Sequence, residues 1–82
     1  TKALAKEVGK AKINVNAIAC GFIETDMTSE LPEEYKKKMT DMTALKRFGT
    51  TEDVAKAAKF FLSDDANYVT GQVLSLDGGL AL

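Results

Sequence analysis

The sequence lacks histidine and tryptophan, and its 82 residues include only one cysteine and one proline. A single cysteine cannot form a disulfide within the chain, and without histidine the ligand sets of zinc fingers and ribbons are incomplete. The same absence excludes a Ser-His-Asp or Cys-His catalytic pair built from these residues alone. We therefore expect neither a metal site nor a histidine-based catalytic site in this chain.

An excess of one charge and a long apolar run are also missing. Eleven basic residues balance twelve acidic ones, which leaves a net charge of −1. This balance gives no electrostatic reason to expect a nucleic-acid partner, and the run Lys36–Lys38 is more typical of a solvated helix face. No stretch reaches the roughly 18 apolar residues of a membrane helix, so we expect no membrane partner. The lone thiol is typical of a reducing compartment, which indicates the cytoplasm.

The first half of the sequence contains a helix, a strand and a second helix. Residues 1–8 are good helix formers, and Gly9 is placed to end the helix in the left-handed conformation. No capping signal precedes this helix, so we expect its start to lie upstream. Residues 13–19 alternate as a strand does, residues 20–32 are polar and irregular, and a proline precedes a helix predicted over 33–43.

The second half repeats the order of helix and strand. Thr50 and Asp53 resemble a capping box at the start of a helix over 51–63, which carries apolar residues on more than one side. The apolar residues 73–76 predict a strand covered on both faces. This alternation is typical of an α/β fold whose last two strands are parallel. Because two strands alone cannot form a covered sheet, we expect the rest of the sheet to lie upstream.

The segment best placed to bind a ligand follows the first predicted strand. Ligands of open α/β sheets bind at the carboxyl ends of the strands. Gly21 allows the backbone to approach a ligand closely. Exposed main-chain groups at Phe22 and Ile23 could bind an amide, and the hydroxyl of Thr25 could bind a phosphate. An ordinary turn after a strand is the alternative.

Tyr35 and Lys38 are the one pair that could suggest catalysis. A catalytic Tyr-Lys pair on a helix needs i,i+4 spacing to project from one face, whereas these two residues are spaced i,i+3. Tyr35 also shares an apolar stripe with Met39 and Met42, so we expect it to pack. We assign no catalytic residue to this chain.

Four motifs follow one another along the chain. They are Asn-Ala-Ile-Ala-Cys-Gly-Phe-Ile-Glu-Thr over 16–25, Arg-Phe-Gly-Thr-Thr-Glu-Asp-Val-Ala over 47–55, Phe-Leu-Ser-Asp-Asp-Ala-Asn-Tyr-Val-Thr-Gly-Gln over 61–72, and Asp-Gly-Gly over 77–79. In order and spacing they resemble motifs of the short-chain dehydrogenase/reductase family. The first is similar to that family's Asn-x-x-x-Pro-Gly-x-x-x-Thr, and the resemblance covers the whole chain.

The resemblance implies a fold and a cofactor. The fold would be the C-terminal portion of a Rossmann-type doubly wound parallel sheet, with residues 1–82 a C-terminal fragment of one reductase domain. The implied cofactor is NADP, with NAD left open, and the residues implied to bind it are Cys20, Gly21, Phe22, Ile23 and Thr25. The family's phosphate-binding loop and catalytic Ser, Tyr and Lys would lie upstream, so we expect the isolated chain to be inactive.

The resemblance also implies a substrate and partners. The expected reaction is reduction of a β-keto thioester carried on acyl carrier protein, under a mobile lid formed by residues 26–46. Four side chains of this lid could line the acyl channel, namely Met27, Leu31, Met39 and Met42. We expect a homotetramer with contacts through the last helix and strand. A reductase of another carbonyl compound and a non-catalytic interaction fragment are the alternatives.

Cys20 departs from the family motif, which has proline at this position. Cysteine leaves the turn less rigid than proline does. One hypothesis places the thiol beside the nicotinamide pocket, where alkylation would affect activity. The alternative is a small buried cysteine that only packs.

Overall fold

The computed structural model describes residues 1–80, which form a two-stranded parallel sheet and four α-helices. The strands are β1 (Ala17–Cys20) and β2 (Val73–Leu76), and the helices are α1 (Lys2–Val8), α2 (Asp26–Ser29), α3 (Glu33–Asp41) and α4 (Thr51–Leu62). Short 3-10 turns lie at Gly9–Ala11 and Asp64–Ala66. Within the described residues, no helix has the length and apolar character needed to cross a membrane.

The two strands pair in parallel, as the sequence predicts, with Ala17 opposite Val73. The ladder is extended at both ends, because Ala17 N–H donates to the Gln72 carbonyl at 2.9 Å and Gly21 N–H donates to the Leu76 carbonyl at 3.0 Å. Alternate residues of a strand direct their peptide groups to opposite edges. The peptide groups of Cys20 therefore face the other edge of β1, where no strand of residues 1–80 pairs.

β1 is shorter than the strand predicted over 13–19, because the residues before it bind a loop instead of a strand. Asn16 donates from Nδ2 to the Val69 carbonyl at 3.0 Å and accepts the Gln72 N–H at 3.1 Å. Val15 N–H donates to the Thr70 hydroxyl at 3.0 Å. These side-chain hydrogen bonds fasten residues 66–72 to the entrance of β1.

The end of α1 also differs from the prediction. Gly9 stays in the right-handed helical region at φ −59° and starts a 3-10 turn. The left-handed residue is Lys12, at φ 61°, and its N–H closes the turn on the Gly9 carbonyl. Ala5 is the buried residue of α1.

The predicted helices over 33–43 and 51–63 are confirmed as α3 and α4. The capping box of α4 is present, since the Thr50 hydroxyl accepts the Asp53 N–H and the Asp53 carboxylate accepts the Thr50 N–H. The stretch over 20–32, predicted to be irregular, contains α2. Its four residues carry no apolar stripe, so periodicity gives no sign of them.

The described residues bury little apolar surface. The buried side chains are small, namely Ala5, Ala66 and Thr43. The chain exposes 6338 Å², whereas a folded monomer of this size exposes roughly 4,800 Å². Its radius of gyration is 15.5 Å, against about 12 Å for a compact chain of this length. The predicted cover on both faces of β2 is not supplied by these residues, since Val73 and Leu74 are exposed.

Candidate functional site

The candidate site begins where β1 ends. Cys20 is the last residue of β1 and its side chain is exposed, so the expectation of a buried, packing cysteine is wrong for the described residues. Because the Cys20 peptide faces away from β2, a proline in its place would not remove a hydrogen bond between these two strands. The hypothesis of thiol sensitivity stays a prediction.

Gly21 lies against the residue that follows β2. A Cβ atom at position 21 would lie 2.7 Å from Cβ and 2.9 Å from Cα of Asp77. The absence of a side chain is therefore explained by the approach of two strand ends. This is a different reason from the close approach of a ligand expected from the sequence.

Gly49 holds the chain just after Gly21 by donating one hydrogen bond and accepting another. Gly49 N–H donates to the Phe22 carbonyl at 2.9 Å, and Glu24 N–H donates to the Gly49 carbonyl at 2.7 Å. The rings of Phe22 and Phe48 meet edge to face, with centroids 6.3 Å apart. Residues 22–24 and 48–49 thus form a small parallel bridge beyond the sheet.

Ile23 is the residue that this bridge leaves able to bind a ligand. Its peptide groups point away from Gly49, and within residues 1–80 neither its N–H nor its C=O has a hydrogen-bond partner. A donor and an acceptor on one residue match the acceptor and donor of a carboxamide. The hydrogen bonds that Phe22 and Glu24 make with Gly49 fix the backbone on either side of Ile23. The free N–H and C=O of Ile23 are therefore held in one orientation.

Thr25 caps α2. Its hydroxyl oxygen accepts the Thr28 N–H at 3.4 Å, and its own N–H donates to the Thr28 hydroxyl at 2.7 Å. The hydroxyl proton of Thr25 has no acceptor among the described residues. Thr25 can therefore cap the helix and donate to a ligand at the same time.

A cleft of about 160 Å³ lies beside the bridge. It is lined by Phe22, Leu45, Arg47, Gly49, Asp53, Lys56, Leu76, Asp77 and Gly78. Phe22 is the one lining residue among those predicted to bind the cofactor. From the sequence, Arg47 and Asp53 are interpreted as a motif and a helix cap, and their position beside this cleft is not foreseen.

Arg47 and Asp53 form an ion pair at the edge of the cleft. An Nη atom of Arg47 lies 3.0 Å from Asp53 Oδ2 and also donates to the Phe48 carbonyl at 2.9 Å. The backbone N–H of Thr50 and then the Arg47 guanidinium lower the pKa of Asp53 from 3.8 to about 2. Asp53 is therefore a carboxylate at every physiological pH.

The lid predicted over 26–46 corresponds to α2, α3 and the turns after them. Of the four side chains predicted to line the acyl channel, Met27 is 83% exposed and Met42 is 62% exposed, whereas Leu31 and Met39 are half-buried. Tyr35 is 63% exposed, so the packing role expected for it is wrong within the described residues. Whether these side chains contact a substrate stays a prediction.

Comparison with known proteins identifies the family. A family model described as enoyl-(acyl carrier protein) reductase matches residues 1–81. The chain belongs to this family of short-chain dehydrogenases/reductases, which are oxidoreductases, and the resemblance seen in the motifs is confirmed.

Individual relatives carry a narrower description. The chain is 53% identical over 81 residues to 3-oxoacyl-[acyl-carrier-protein] reductase of Chlamydia trachomatis, covering 99% of this chain and 33% of that protein. It is 56% identical over 82 residues to 3-oxoacyl-[acyl-carrier-protein] reductase of Bos taurus, covering 100% of this chain and 32% of that protein. The chain thus spans about a third of the length of these relatives.

A solved structure matches the fold. The crystal structure of 3-oxoacyl-[acyl-carrier protein] reductase from Brucella melitensis superposes with a TM-score of 0.96 at 36% identity, covering 100% of this chain and 31% of that one. The predicted fold class, part of a Rossmann-type α/β reductase, is confirmed.

Proposed function

We propose that this chain serves as the C-terminal part of an NADPH-dependent reductase that converts 3-oxoacyl-[acyl-carrier-protein] to the 3-hydroxyacyl form in fatty acid synthesis. The proposal rests on the relatives of that name, which align with 81 or 82 residues of the chain at 49–56% identity. NADPH, the acyl-carrier substrate and a cytoplasmic location are parts of the same proposal.

The proposal that residues 1–82 belong to a larger reductase domain is supported by the open surfaces of the fold. The described residues expose 6338 Å² and bury only small side chains. One edge of β1 has no neighbouring strand among them. A further strand on this edge and helices over the sheet faces would supply the core that these residues do not form.

The observation that carries the proposed cofactor role is the peptide of Ile23. Its free N–H and C=O fit the carboxamide of a nicotinamide ring, while Gly21 and Phe22 would border that ring. Thr25, with its hydroxyl proton free to donate, would bind the carboxamide or the pyrophosphate. Cys20 would lie at the rim of this pocket. The residues present thus fit a nicotinamide cofactor.

These residues bind and orient, and do not carry out proton transfer. When bound here, a reduced nicotinamide would supply hydride to the keto carbon of the substrate. The proton for the carbonyl oxygen would come from a tyrosine outside this chain. α2 and α3 would exclude water when they close over the substrate, which would strengthen the electrostatic interactions inside the site.

The proposed function is tested on the full protein to which these residues belong. Acetoacetyl-acyl carrier protein is supplied with NADPH or with NADH, and oxidation of the cofactor is followed by absorbance. We expect turnover with NADPH at least about tenfold more efficient than with NADH. The isolated 82-residue chain is the control and is expected to give none. Turnover of a cyclic ketone or sugar, with none of the thioester, would replace this proposal with a reductase of another carbonyl compound.

We also propose that the full protein is a homotetramer with contacts through α4 and β2. Both elements expose large apolar side chains, among them Phe60, Leu62 at 88%, Val73 and Leu74. Large exposed apolar side chains of this kind are found at protein interfaces.

A further inference from the structure

The first turn of α4 and the loop before it form one hydrogen-bonded unit. Asp53 Oδ2 accepts two hydrogen bonds, from Thr50 N–H at 2.9 Å and from Arg47 Nη at 3.0 Å. The same Arg47 atom donates to the Phe48 carbonyl at 2.9 Å. One carboxylate oxygen therefore fixes the backbone on both sides of Gly49.

Gly49 in turn is the residue that holds Ile23 in place. Its N–H and C=O bond to the residues before and after Ile23, and a Cβ at position 49 would lie 2.8 Å from Ile23 Cδ1 and 3.8 Å from Asp53 Oδ2. The Asp53 carboxylate and the Ile23 side chain thus both lie next to the Cβ position of a single glycine. A shift of Asp53 would be transmitted to the Ile23 peptide through one residue.

We propose that Arg47 and Asp53 are positioning residues that set the orientation of the Ile23 peptide for recognition of a nicotinamide carboxamide. The inference rests on the proposed function, because it assumes that Ile23 binds the carboxamide. Neither side chain touches the cofactor in this role. They act through Gly49, and the first turn of α4 becomes part of the cofactor site.

The ion pair of Arg47 and Asp53 differs in its surroundings from the other ion pair on α4. Glu52 and Lys56 also form an ion pair, at 3.3 Å, but both side chains are more than 70% exposed, and no hydrogen bond within residues 1–80 joins either side chain to the 47–50 loop. Glu52→Gln is therefore a matched control, one residue away on the same helical turn. Asp53→Glu is the conservative variant, because glutamate is the usual residue at this position of a capping box.

The test measures cofactor affinity in the full protein by fluorescence titration, without substrate. The two probes are NADPH and its 3-acetylpyridine analogue, in which a methyl group replaces the carboxamide nitrogen that would donate to the Ile23 carbonyl. Loss of one hydrogen bond weakens binding about fivefold. We expect the wild-type protein, Glu52→Gln and Asp53→Glu to prefer NADPH by about fivefold, and Asp53→Asn to prefer it by less than about twofold.

The outcomes separate the two proposals. A wild-type protein that binds both probes equally would overturn the carboxamide role of Ile23 and the positioning role with it. A fivefold preference that persists in Asp53→Asn, even with weaker binding of both probes, would overturn the positioning role alone. Arg47→Gln provides a second variant should Asp53→Asn not fold, because the Arg47 side chain is 55% exposed. It is expected to lose the preference, and Arg47→Lys to recover part of it.

Discussion

At the scale of single residues, two glycines that each follow a secondary-structure element have different structural roles. Gly9 follows a helix and Gly21 follows a strand, and both are turn signals in the sequence. The structure places nothing within 4 Å of a Cβ built on Gly9, whereas a Cβ on Gly21 would meet the Asp77 backbone. Which glycine is required depends on a residue 56 positions along the chain, which no local pattern reveals.

Alanine at these two positions should therefore have opposite effects. Gly21→Ala forces the ends of β1 and β2 apart, and we expect it to lower the free energy of unfolding by about 1–3 kcal/mol. Gly9→Ala fits its helical backbone without contact and should raise the free energy of unfolding by up to about 1 kcal/mol. Chemical denaturation of the full protein measures both. Equal losses would contradict the contact assigned to Gly21.

Asp53 should make stability depend on pH in the acid range. Its pKa in the folded protein is about 2, below the ordinary value of 3.8. The carboxylate therefore stabilises the folded state fully above about pH 4, and this contribution is lost as pH falls through about 2. We expect the gap between the unfolding midpoints of wild type and Asp53→Asn to be present at neutral pH and to narrow steadily as pH falls from about 4 through about 2. A gap of constant size would contradict the assignment.

At the scale of elements, the sequence predicts whether a segment is a helix or a strand better than it predicts where that element begins and ends. The helix over 51–63 is predicted well because its capping residues and apolar face are both local, and α4 ends within one residue of the expectation. The strand over 13–19 is predicted too long, because Asn14 and Asn16 bind carbonyls of the 66–72 loop. Those partners are distant in sequence, so alternation alone cannot show where pairing begins. The bridge at Ile23 is missed for the same reason, although the binding role of this segment follows from its place after a strand.

The side-chain hydrogen bonds that fasten residues 66–72 to the entrance of β1, called the clasp below, should contribute measurably to stability. Asn16→Asp keeps the acceptor for Gln72 N–H but loses the donor to the Val69 carbonyl, and we expect a cost of about 1–3 kcal/mol. Asn67→Asp is the control, because the Asn67 side chain makes no hydrogen bond within residues 1–80, and it should change stability by less than about 0.5 kcal/mol. Urea unfolding reports the cost. Gly71 N–H, which donates to the Val15 carbonyl at 2.7 Å, lies between the same two segments. Faster amide exchange at Gly71 in Asn16→Asp would place the loss at the entrance of β1, and unchanged exchange would speak against it.

At the scale of the whole molecule, the described residues are extended and open. They span 50 × 22 × 19 Å, and their largest side chains lie on the surface. Phe60 and Leu62 of α4 and Val73 and Leu74 of β2, which have the apolar character of core residues, are exposed here. Sequence periodicity identifies such residues as apolar faces, but it does not say whether the same chain or another one covers them.

The proposed tetramer makes it possible to test whether another copy of the chain covers the apolar face of α4. Phe60→Glu places a charge on the apolar face of α4, and we expect it to shift the full protein from tetramer to dimer or monomer, because a buried unpaired charge is strongly unfavourable. Lys59→Gln, on the neighbouring position, should leave the assembly unchanged. Sedimentation velocity of both variants at equal concentration measures the state. An intact tetramer in Phe60→Glu would remove α4 from the interface.

The clasp and the parallel ladder join residues 56 positions apart, as Asn16 and Gln72 show. To form such a contact the chain must first close a long loop. The entropy lost in closing it is offset only once the contact has formed, and this slows folding. During synthesis, β1 leaves the ribosome well before its partner and waits as an unpaired edge. Between these two events the unpaired strand edge is exposed to aggregation.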